Sequence, residues 1–365
     1  MHLVAVRRRP APYFQHRNPP PAPALTAHIK RDKSTPWQPE AGDSRRAIAF
    51  GRSLLPSFPC KCRLPPEQAR ALSVVDMLFG LTLAAPPATR MKTCLYTQAD
   101  LESEWSAFWR QELKLPPYYH RKWWELSYIC QSLWSNGMLA AGKRGLGFGC
   151  GREPLPSLFA KYGASVLATD ADPSHPGTQG WMQTGQHSDG QVEALWYPEI
   201  CPDPAALQRI EFQFADMNAI PREFDGGFDF CWSTCALEHL GSRAKGLQFI
   251  ENSLRALRPG GVAVHATEFM LSENPEDALD NWASVFYQKN DIVAFAEALR
   301  SKGYIVAPLD FDSGSGFLDG LIDFYPPFHP DNAHRIFGKQ AAHLKVNGDG
   351  LNVTCIGILV TAPGP

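Results

Sequence analysis

The chain has 365 residues, a formal net charge of −2 and 44% hydrophobic residues, which is enough for one large domain or two small ones. No apolar run reaches the roughly 18 residues of a membrane-spanning helix. The small net charge is a cancellation, because residues 1–90 carry 14 Lys and Arg against 5 Asp and Glu, whereas residues 91–365 carry 21 against 32. The acidic part is unsuited to a phosphate backbone, so we expect no nucleic-acid partner.

Residues 1–90 hold 14 of the 32 prolines and show no helical or strand period. Proline removes backbone donors and restricts its neighbours, so this segment is predicted to be a disordered, basic extension. It could be a tail that contacts nucleic acid or a membrane surface, or a transit peptide. It could also lie outside the native protein, with Met91 as the initiator. We favour that last interpretation, or an inert tail.

The nine cysteines are scattered and contain no Cys-x-x-Cys pair; the only close spacings are Cys60/Cys62 and Cys231/Cys235. This spacing does not predict a zinc site. We expect reduced, mostly buried thiols, no bound metal and a cytoplasmic location.

Residues 91–140 are predicted to form a helical cap with helices over 98–113 and 120–139. The second helix has an apolar stripe suited to packing, at Trp123, Leu126, Cys130, Leu133 and Trp134. An alternative interpretation is a lid in which Tyr119, His120 or Trp124 closes over a ligand.

From residue 141 onward, short apolar strands alternate with helices. The predicted strands are 144–148, 166–169, 211–214, 228–232, 261–266, 304–308 and 353–360, and the predicted helices are 155–162, 243–257 and 291–302. Such alternation predicts an α/β fold with a doubly wound, mostly parallel sheet. Ligands then bind at the carboxyl ends of the strands.

A glycine-rich loop, Gly147-Phe148-Gly149-Cys150-Gly151, follows the first of these strands. Glycines allow a tight turn and close approach of a ligand. A dinucleotide fingerprint needs glycine at the sixth position, where Arg152 stands, so a pyrophosphate site is disfavoured. Asp170 ends the next strand and can accept hydrogen bonds from two ribose hydroxyls. Asp216-Met217 follows the third strand and offers an acceptor beside an apolar side chain.

The order of these motifs resembles the class I S-adenosylmethionine-dependent methyltransferases over about residues 140–310, and more loosely over 98–362. The resemblance also includes the segment from Phe228 to Leu240, which contains Ser233, and the segment Leu257–Gly261. It implies a Rossmann-like sheet of about seven strands whose last strand, 353–360, is antiparallel between its neighbours. It also implies that residues 141–365 bind S-adenosylmethionine, with the glycine loop at the methionine moiety, Asp170 at the ribose and Asp216-Met217 at the adenine. Ser233 is a further cofactor-binding candidate.

One departure from the family pattern concerns the acid that usually stands two residues before the first loop glycine. This chain has Gly145 there. Glu153 is our candidate to hold the cofactor's amino group instead, although Glu153-Pro154 is equally typical of a helix start.

The acceptor is expected beyond the strand ends, where Glu238, His239 and His265 are candidate catalytic residues. Candidate substrate-binding residues are His187, Glu268, Asp319 and Asp323. His187 lies in the long connection 171–210, which also contains Trp181 and Gln186. Acids near aromatic residues suit a small polar acceptor such as a sugar or another hydroxylated metabolite.

Two other functions remain open. One is an NAD(P)-dependent oxidoreductase or epimerase, which Arg152 and the absence of a Tyr-x-x-x-Lys pair after the fourth strand disfavour. The other is a catalytically inactive, cofactor-binding subunit, for which Gly145 is the hint. The sequence does not indicate an oligomeric state.

Overall fold

Eleven strands join in one mixed sheet in the computed structural model, counted over its described residues: 83–115, 119–274, 277, 280, 284–324, 344–348 and 350–364. The predicted disordered extension therefore lies outside the described residues, apart from 83–90. The strands are β1 Thr93–Leu95, β2 Arg144–Phe148, β3 Ser165–Asp170, β4 Ile210–Phe214, β5 Phe228–Thr234, β6 Leu257–Met270, β7 Ile305–Val306, β8 Leu309–Asp310, β9 Asp323–Phe324, β10 Val346–Gly348 and β11 Leu351–Thr361.

The central part of the sheet has the order β4-β3-β2-β5-β6-β11. The first five of these strands are mutually parallel, and β11 runs antiparallel to β6 and to β7 on its other side. The predicted α/β class and the antiparallel final strand are confirmed. The short strands β1, β8, β9 and β10 were not predicted. Strand β1 pairs with β11, so the segment expected to be a helical cap also contributes to the sheet.

Two glycines of β2 leave room for large aromatic rings of the neighbouring strand β5. A Cβ on Gly147 would lie 2.4 Å from Trp232 Cζ2, and a Cβ on Gly145 would lie 2.3 Å from Phe230 Cε2. The ring of Phe230 thus fills the volume that an acidic side chain at position 145 would need. This packing is the physical reason that the family's usual acid has no place at this position.

The described residues form seven α-helices. They are α1 Gln98–Leu101, α2 Glu104–Glu112, α3 Arg121–Ser135, α4 Leu155–Lys161, α5 Gln179–Gln183, α6 Arg243–Ser253 and α7 Lys289–Ser301. The helix predicted over 98–113 is two helices, because Ser103 caps α2 by accepting a hydrogen bond from the Ser106 amide. The helix predicted over 120–139 ends at Ser135, shortly before Gly137 with its φ of 70°.

The helices lie in two layers, each with its own apolar core. One core includes Trp109, Leu133 and Phe159 of α2, α3 and α4, and the other includes Phe249 and Ile292 of α6 and α7. Helix α3 contacts β5, β6 and β11, so its first turn reaches the carboxyl ends of the parallel strands. None of the helices that the structure describes has both the length and the apolarity required to cross a membrane.

Candidate functional site

The glycine loop forms a narrow cradle at the end of β2. Gly149 and Gly151 have φ values of 59° and 51°, a backbone conformation that favours glycine. A Cβ on Gly149 would lie 2.7 Å from the Ala236 Cβ, and one on Gly151 would lie 2.7 Å from the Gln186 carbonyl oxygen. The loop can therefore pack this closely against Ala236 and Gln186 only because these two residues lack side chains.

Asp170 lies beside this loop, as the sequence predicts. Its Oδ2 accepts a hydrogen bond from the Gly151 amide at 3.1 Å, and its Oδ1 accepts one from the Ala171 amide at 2.9 Å. Burial raises the pKa of Asp170, an effect that His187 and these two amides oppose. The carboxylate is thus fixed in orientation and keeps further acceptor capacity for hydroxyl groups.

His187 is almost fully buried next to Asp170. Its Nδ1 accepts a hydrogen bond from the Asp189 amide at 2.9 Å, so its Nε2 donates to the Ala171 carbonyl at 2.9 Å. Nε2 also lies 3.7 Å from Asp170 Oδ2. His187 therefore supports the backbone around Asp170.

Met217 and Asp216 differ in their surroundings although they are neighbours. Met217 is buried, and its Sδ lies 3.4 Å from the position of a Cβ on Gly149. Asp216 is exposed and accepts a hydrogen bond from the Asn218 amide at 2.8 Å. The structure brings both residues to the rim of the glycine cradle, with the apolar side chain on the inside.

A charged cluster of Arg121, Lys122, Glu125, Glu153 and Glu268 adjoins the glycine loop. Arg121 Nη1 lies 2.5 Å from Glu268 Oε1, and Lys122 Nζ lies 3.1 Å from Glu125 Oε2. Burial disfavours the charge of Glu125, but Lys122 and Arg121 hold its pKa at about 2. Buried charges at the carboxyl edge of a parallel sheet are costly unless they are paired, so their concentration here indicates a functional site.

Glu153 joins the charged cluster to the glycine loop. It accepts a hydrogen bond from Thr234 Oγ1, and its Oε1 lies 3.5 Å from Lys122 Nζ. Burial raises the pKa of Glu153 to about 7, and Lys122 and Thr234 only partly oppose this effect. Its other oxygen, Oε2, is buried and has no hydrogen-bond partner among the residues that the structure describes.

Glu238 and His239 lie on the turn after β5. Glu238 is 1% exposed and accepts a hydrogen bond from Thr267 Oγ1 at 2.9 Å. Its pKa is raised by burial and by the negative charge of Glu268, which makes its carboxylate a stronger proton acceptor. His239 is half-buried, and its ring packs edge-on against Trp181 with centroids 4.9 Å apart. The long connection 171–210 therefore reaches over this turn.

His265 and Ser233 lie away from the ligand side of the site. Both are fully buried, Ser233 Oγ lies 2.8 Å from His265 Nδ1, and His265 Nε2 lies 3.2 Å from Ser253 Oγ of α6. Burial lowers the pKa of His265 to about 3. Both ring nitrogens of His265 are thus engaged by buried hydroxyl groups, one from β5 and one from α6.

Asp319 and Asp323 are not part of the charged cluster. Asp319 Oδ1 accepts a hydrogen bond from the Gln98 amide at 2.8 Å, and its Oδ2 accepts one from the Gly316 amide at 2.9 Å. Asp323 lies buried in β9, and its amide donates to the Lys345 carbonyl. Asp319 thus joins α1 to a surface turn.

The sequence interpretation missed Arg121, Lys122, Glu125 and Cys355. A signal was present, because Glu125 follows Arg121 by four positions and Lys122 by three, which places the three charges together on a mostly apolar helix. The proposed lid residues Tyr119 and Trp124 are instead internal, since they donate hydrogen bonds to Glu102 and Asp100 at 2.7 and 3.2 Å.

Comparison with known proteins supports the identification of these motifs. Residues 146–265, from β2 into β6, match a family model described as a methyltransferase domain. No curated protein sequence matches the chain.

Two solved structures illustrate the structural neighbours. An S-adenosylmethionine-dependent methyltransferase from Aquifex aeolicus is 15% identical over 61% of this chain and 84% of its own, with a TM-score of 0.32. Phosphoethanolamine N-methyltransferase 2 from Haemonchus contortus, in complex with S-adenosyl-L-methionine, is 14% identical over 81% of this chain and 57% of its own, with a TM-score of 0.37. On the family match, the predicted resemblance is confirmed, and residues 146–265 carry a methyltransferase domain.

Proposed function

We propose that this chain transfers a methyl group from S-adenosylmethionine to a small polar acceptor bound next to the charged cluster. The observation that carries the proposal is the glycine cradle, which has Asp170 on one side and the buried, unpartnered Glu153 Oε2 on the other. These groups fit the cofactor, whose ribose offers hydroxyl donors and whose methionine moiety offers an ammonium group.

Each residue around the cradle has a proposed task. Asp170 accepts hydrogen bonds from the ribose hydroxyls, and Met217 packs against the adenine ring while Asp216 accepts from its amine. Glu153 takes the ammonium group in place of the acid that Phe230 excludes from position 145. Gly147, Phe148, Gly149 and Gly151 supply the backbone that approaches the methionine moiety.

The chemistry that the cofactor supplies when bound is an electrophilic methyl group on a sulfonium. The protein must therefore position a nucleophile in line with that methyl group and keep water away. An acceptor that arrives protonated also requires a base. We propose Glu238 for this role, with His239 as the alternative, because both lie on the turn after β5 and Thr267 fixes the Glu238 carboxylate. Glu268 is a proposed acceptor contact through its pair with Arg121.

Hydroxylated metabolites, including sugars, remain the proposed acceptor class. Their support comes from the carboxylates of the charged cluster and Glu238, which can accept hydrogen bonds from hydroxyl groups. Asp319 and Asp323 no longer contribute, because the amides described above occupy the Asp319 carboxylate and Asp323 lies in β9.

Calorimetric titration of the full chain with S-adenosylhomocysteine and with NAD tests the proposal. We expect S-adenosylhomocysteine to bind and NAD not to bind. Asp170→Ala should weaken S-adenosylhomocysteine binding by about tenfold or more, because hydrogen bonds to a charged acceptor contribute about 1.5–3 kcal/mol. Asp172→Ala is the matched control, since Asp172 is an exposed carboxylate two residues away that bonds only to Ser174 among the described residues.

Two outcomes would contradict this proposal. If NAD binds and S-adenosylhomocysteine does not, the oxidoreductase or epimerase interpretation is favoured instead. If S-adenosylhomocysteine binds but no acceptor in a panel of hydroxylated and amino metabolites is methylated, the inactive-subunit interpretation gains support.

A further inference from the structure

Three potential metal ligands from distant parts of the sequence meet beside the charged cluster. Glu125 Oε1 accepts hydrogen bonds from Cys355 Sγ at 2.9 Å and from Cys235 Sγ at 3.1 Å. The three ligand atoms all lie within 4.8 Å of one another. Glu125 lies on α3, Cys235 follows β5 and Cys355 lies in β11, so three elements of the fold converge on this point.

The spacing of these atoms is close to that around a tetrahedral metal. Bonds of about 2.3 Å to sulfur and about 2 Å to oxygen hold neighbouring ligand atoms roughly 3.5 Å apart. The two sulfur–oxygen distances of 2.9 and 3.1 Å therefore need to lengthen by only about half an ångström. Rotation of side chains, without movement of the backbone, can supply such a change.

In the metal-free protein the neutral thiols are favoured, since burial raises the pKa of Cys355, and the hydrogen bond with Cys355 together with burial raises the pKa of Cys235. An entering cation must therefore displace both thiol protons, and the Arg121 charge assists this step at Cys355. Arg121 Nη1 lies 3.5 Å from Cys355 Sγ, and Lys122 Nζ lies 3.1 Å from Glu125 Oε2. Neighbouring cations stabilise thiolates, and hydrogen bonds from outer groups orient metal ligands. The two thiolates and the carboxylate would carry three negative charges, and Arg121 and Lys122 carry two positive charges. The group as a whole is therefore negative, and its net charge does not repel a divalent cation.

The members of the group differ in how deeply they are buried. Glu125 and Cys355 are fully buried, whereas Cys235 is half-buried and the Arg121 side chain is 27% exposed. A cation can therefore enter past Cys235, and a fourth ligand can approach from the same side. Sites with three protein ligands and one open position are typical of catalytic rather than structural zinc.

We propose that Glu125, Cys235 and Cys355 bind a soft divalent cation of the Zn²⁺ type, with a water molecule or an acceptor atom at the fourth position. Thiolate ligands select zinc-like ions over magnesium or calcium. Thr234, the neighbour of Cys235, bonds to Glu153, so the cation lies next to the proposed methyl-transfer site. Cation binding itself does not depend on the proposed methyltransferase activity.

The test is a titration of the reduced, metal-free full chain with Co²⁺, followed by Zn²⁺. Cys60 and Cys62 are first replaced by serine, because this Cys-x-Cys pair could bind metal on its own. We expect a near-ultraviolet thiolate-to-cobalt absorption band that saturates at one Co²⁺ per chain and disappears when Zn²⁺ is added. Cys235→Ser and Cys355→Ser should abolish the band. Glu125→Gln should weaken Co²⁺ binding by more than the roughly 10- to 100-fold that is typical when a residue that only hydrogen-bonds to a metal ligand is replaced.

Cys231→Ser is the matched control, since Cys231 is fully buried in β5 but its thiol bonds to Ser253. It should keep the band. A second readout covers the case in which Cys355→Ser does not fold: Zn²⁺ should protect Cys235 of the otherwise unchanged chain from alkylation, as measured by mass spectrometry. No saturable band, or equal alkylation of Cys235 with and without Zn²⁺, would overturn the proposal. Neither readout uses S-adenosylmethionine, so failure here leaves the proposed function untouched.

Discussion

At the scale of single residues, Glu153 has the most informative environment of the site. The Phe230 ring fills the space beside position 145, where the family pattern has an acid, whereas Glu153 Oε2 is buried and has no hydrogen-bond partner in the part of the chain that the structure describes. Removal from water favours the protonated form of a carboxyl group, which explains the raised pKa. Glu153 therefore ionises in the range in which the enzyme is expected to work.

This environment predicts a pH-dependent affinity for S-adenosylhomocysteine. Only ionised Glu153 attracts the ligand's ammonium group, so binding should be strongest above the Glu153 pKa of about 7 and weaken by up to about tenfold per unit as the pH falls below it. Calorimetry across this range measures the effect. Glu153→Gln should bind more weakly at high pH and lose the dependence, whereas Glu193→Gln, at an exposed glutamate, should keep it. An identical pH profile in Glu153→Gln would refute the assignment.

At the scale of secondary-structure elements, helix α3 supplies most of the charged side chains of the site. Its first turn carries Arg121 and Lys122, and the turn is capped by His120, whose Nδ1 accepts a hydrogen bond from the Lys122 amide at 3.1 Å. The close packing of α3 on the sheet depends on Gly357 of β11, because the Tyr128 ring of α3 lies directly against this glycine. A helix held this close to the sheet can bring charged side chains to the strand ends.

Substitution of Gly357 should therefore disturb both stability and the site. A Cβ at this position would lie 2.2 Å from Tyr128 Cε1, so Gly357→Ala must displace α3. We expect it to lower the free energy of unfolding by about 1–3 kcal/mol, as overpacking typically does, and to weaken S-adenosylhomocysteine binding. Urea denaturation measures the first effect. Gly320→Ala is the control, because nothing lies within 4 Å of its Cβ position, and equal stability of the two variants would contradict the packing argument.

At the scale of the whole molecule, the helical segment and the sheet form one unit. Strand β1 pairs with β11, and the buried Gln131 of α3 donates hydrogen bonds to the carbonyls of Pro87 and Thr89, each at 2.9 Å. Leu83 also packs against the core. The folded part thus includes residues 83–90, which the charge and proline pattern assigned to the extension.

Truncation can locate this boundary. The full chain and a chain that begins at Leu83 are the references for the comparison. A chain that begins at Met91 should be less stable by about 1–3 kcal/mol, because the buried Gln131 amide loses both carbonyl acceptors. Thermal and urea unfolding of the three chains make the comparison. Equal stability of the Leu83 and Met91 chains would show that residues 83–90 contribute nothing.

Features that depend on local patterns could be predicted from the amino-acid sequence. Alternation of apolar strands and helices predicts the α/β sheet, and the glycines of 147–151 with Asp170 predict the cofactor cradle, because backbone turns and strand ends are encoded by adjacent residues. The family resemblance predicts that the last strand is antiparallel, and the antiparallel pairing of β11 with β6 confirms this prediction.

Which side chains face one another became visible in the folded structure. Strand alternation does not reveal which face of β6 is covered by α6, so it could not show that His265 is enclosed while Glu268 meets Arg121. Cys235 and Cys355 are 120 positions apart in the sequence, and they meet only because β11 inserts beside β6 and α3 lies across both. Contacts between distant segments depend on the packing of whole elements, which no local period in the sequence records.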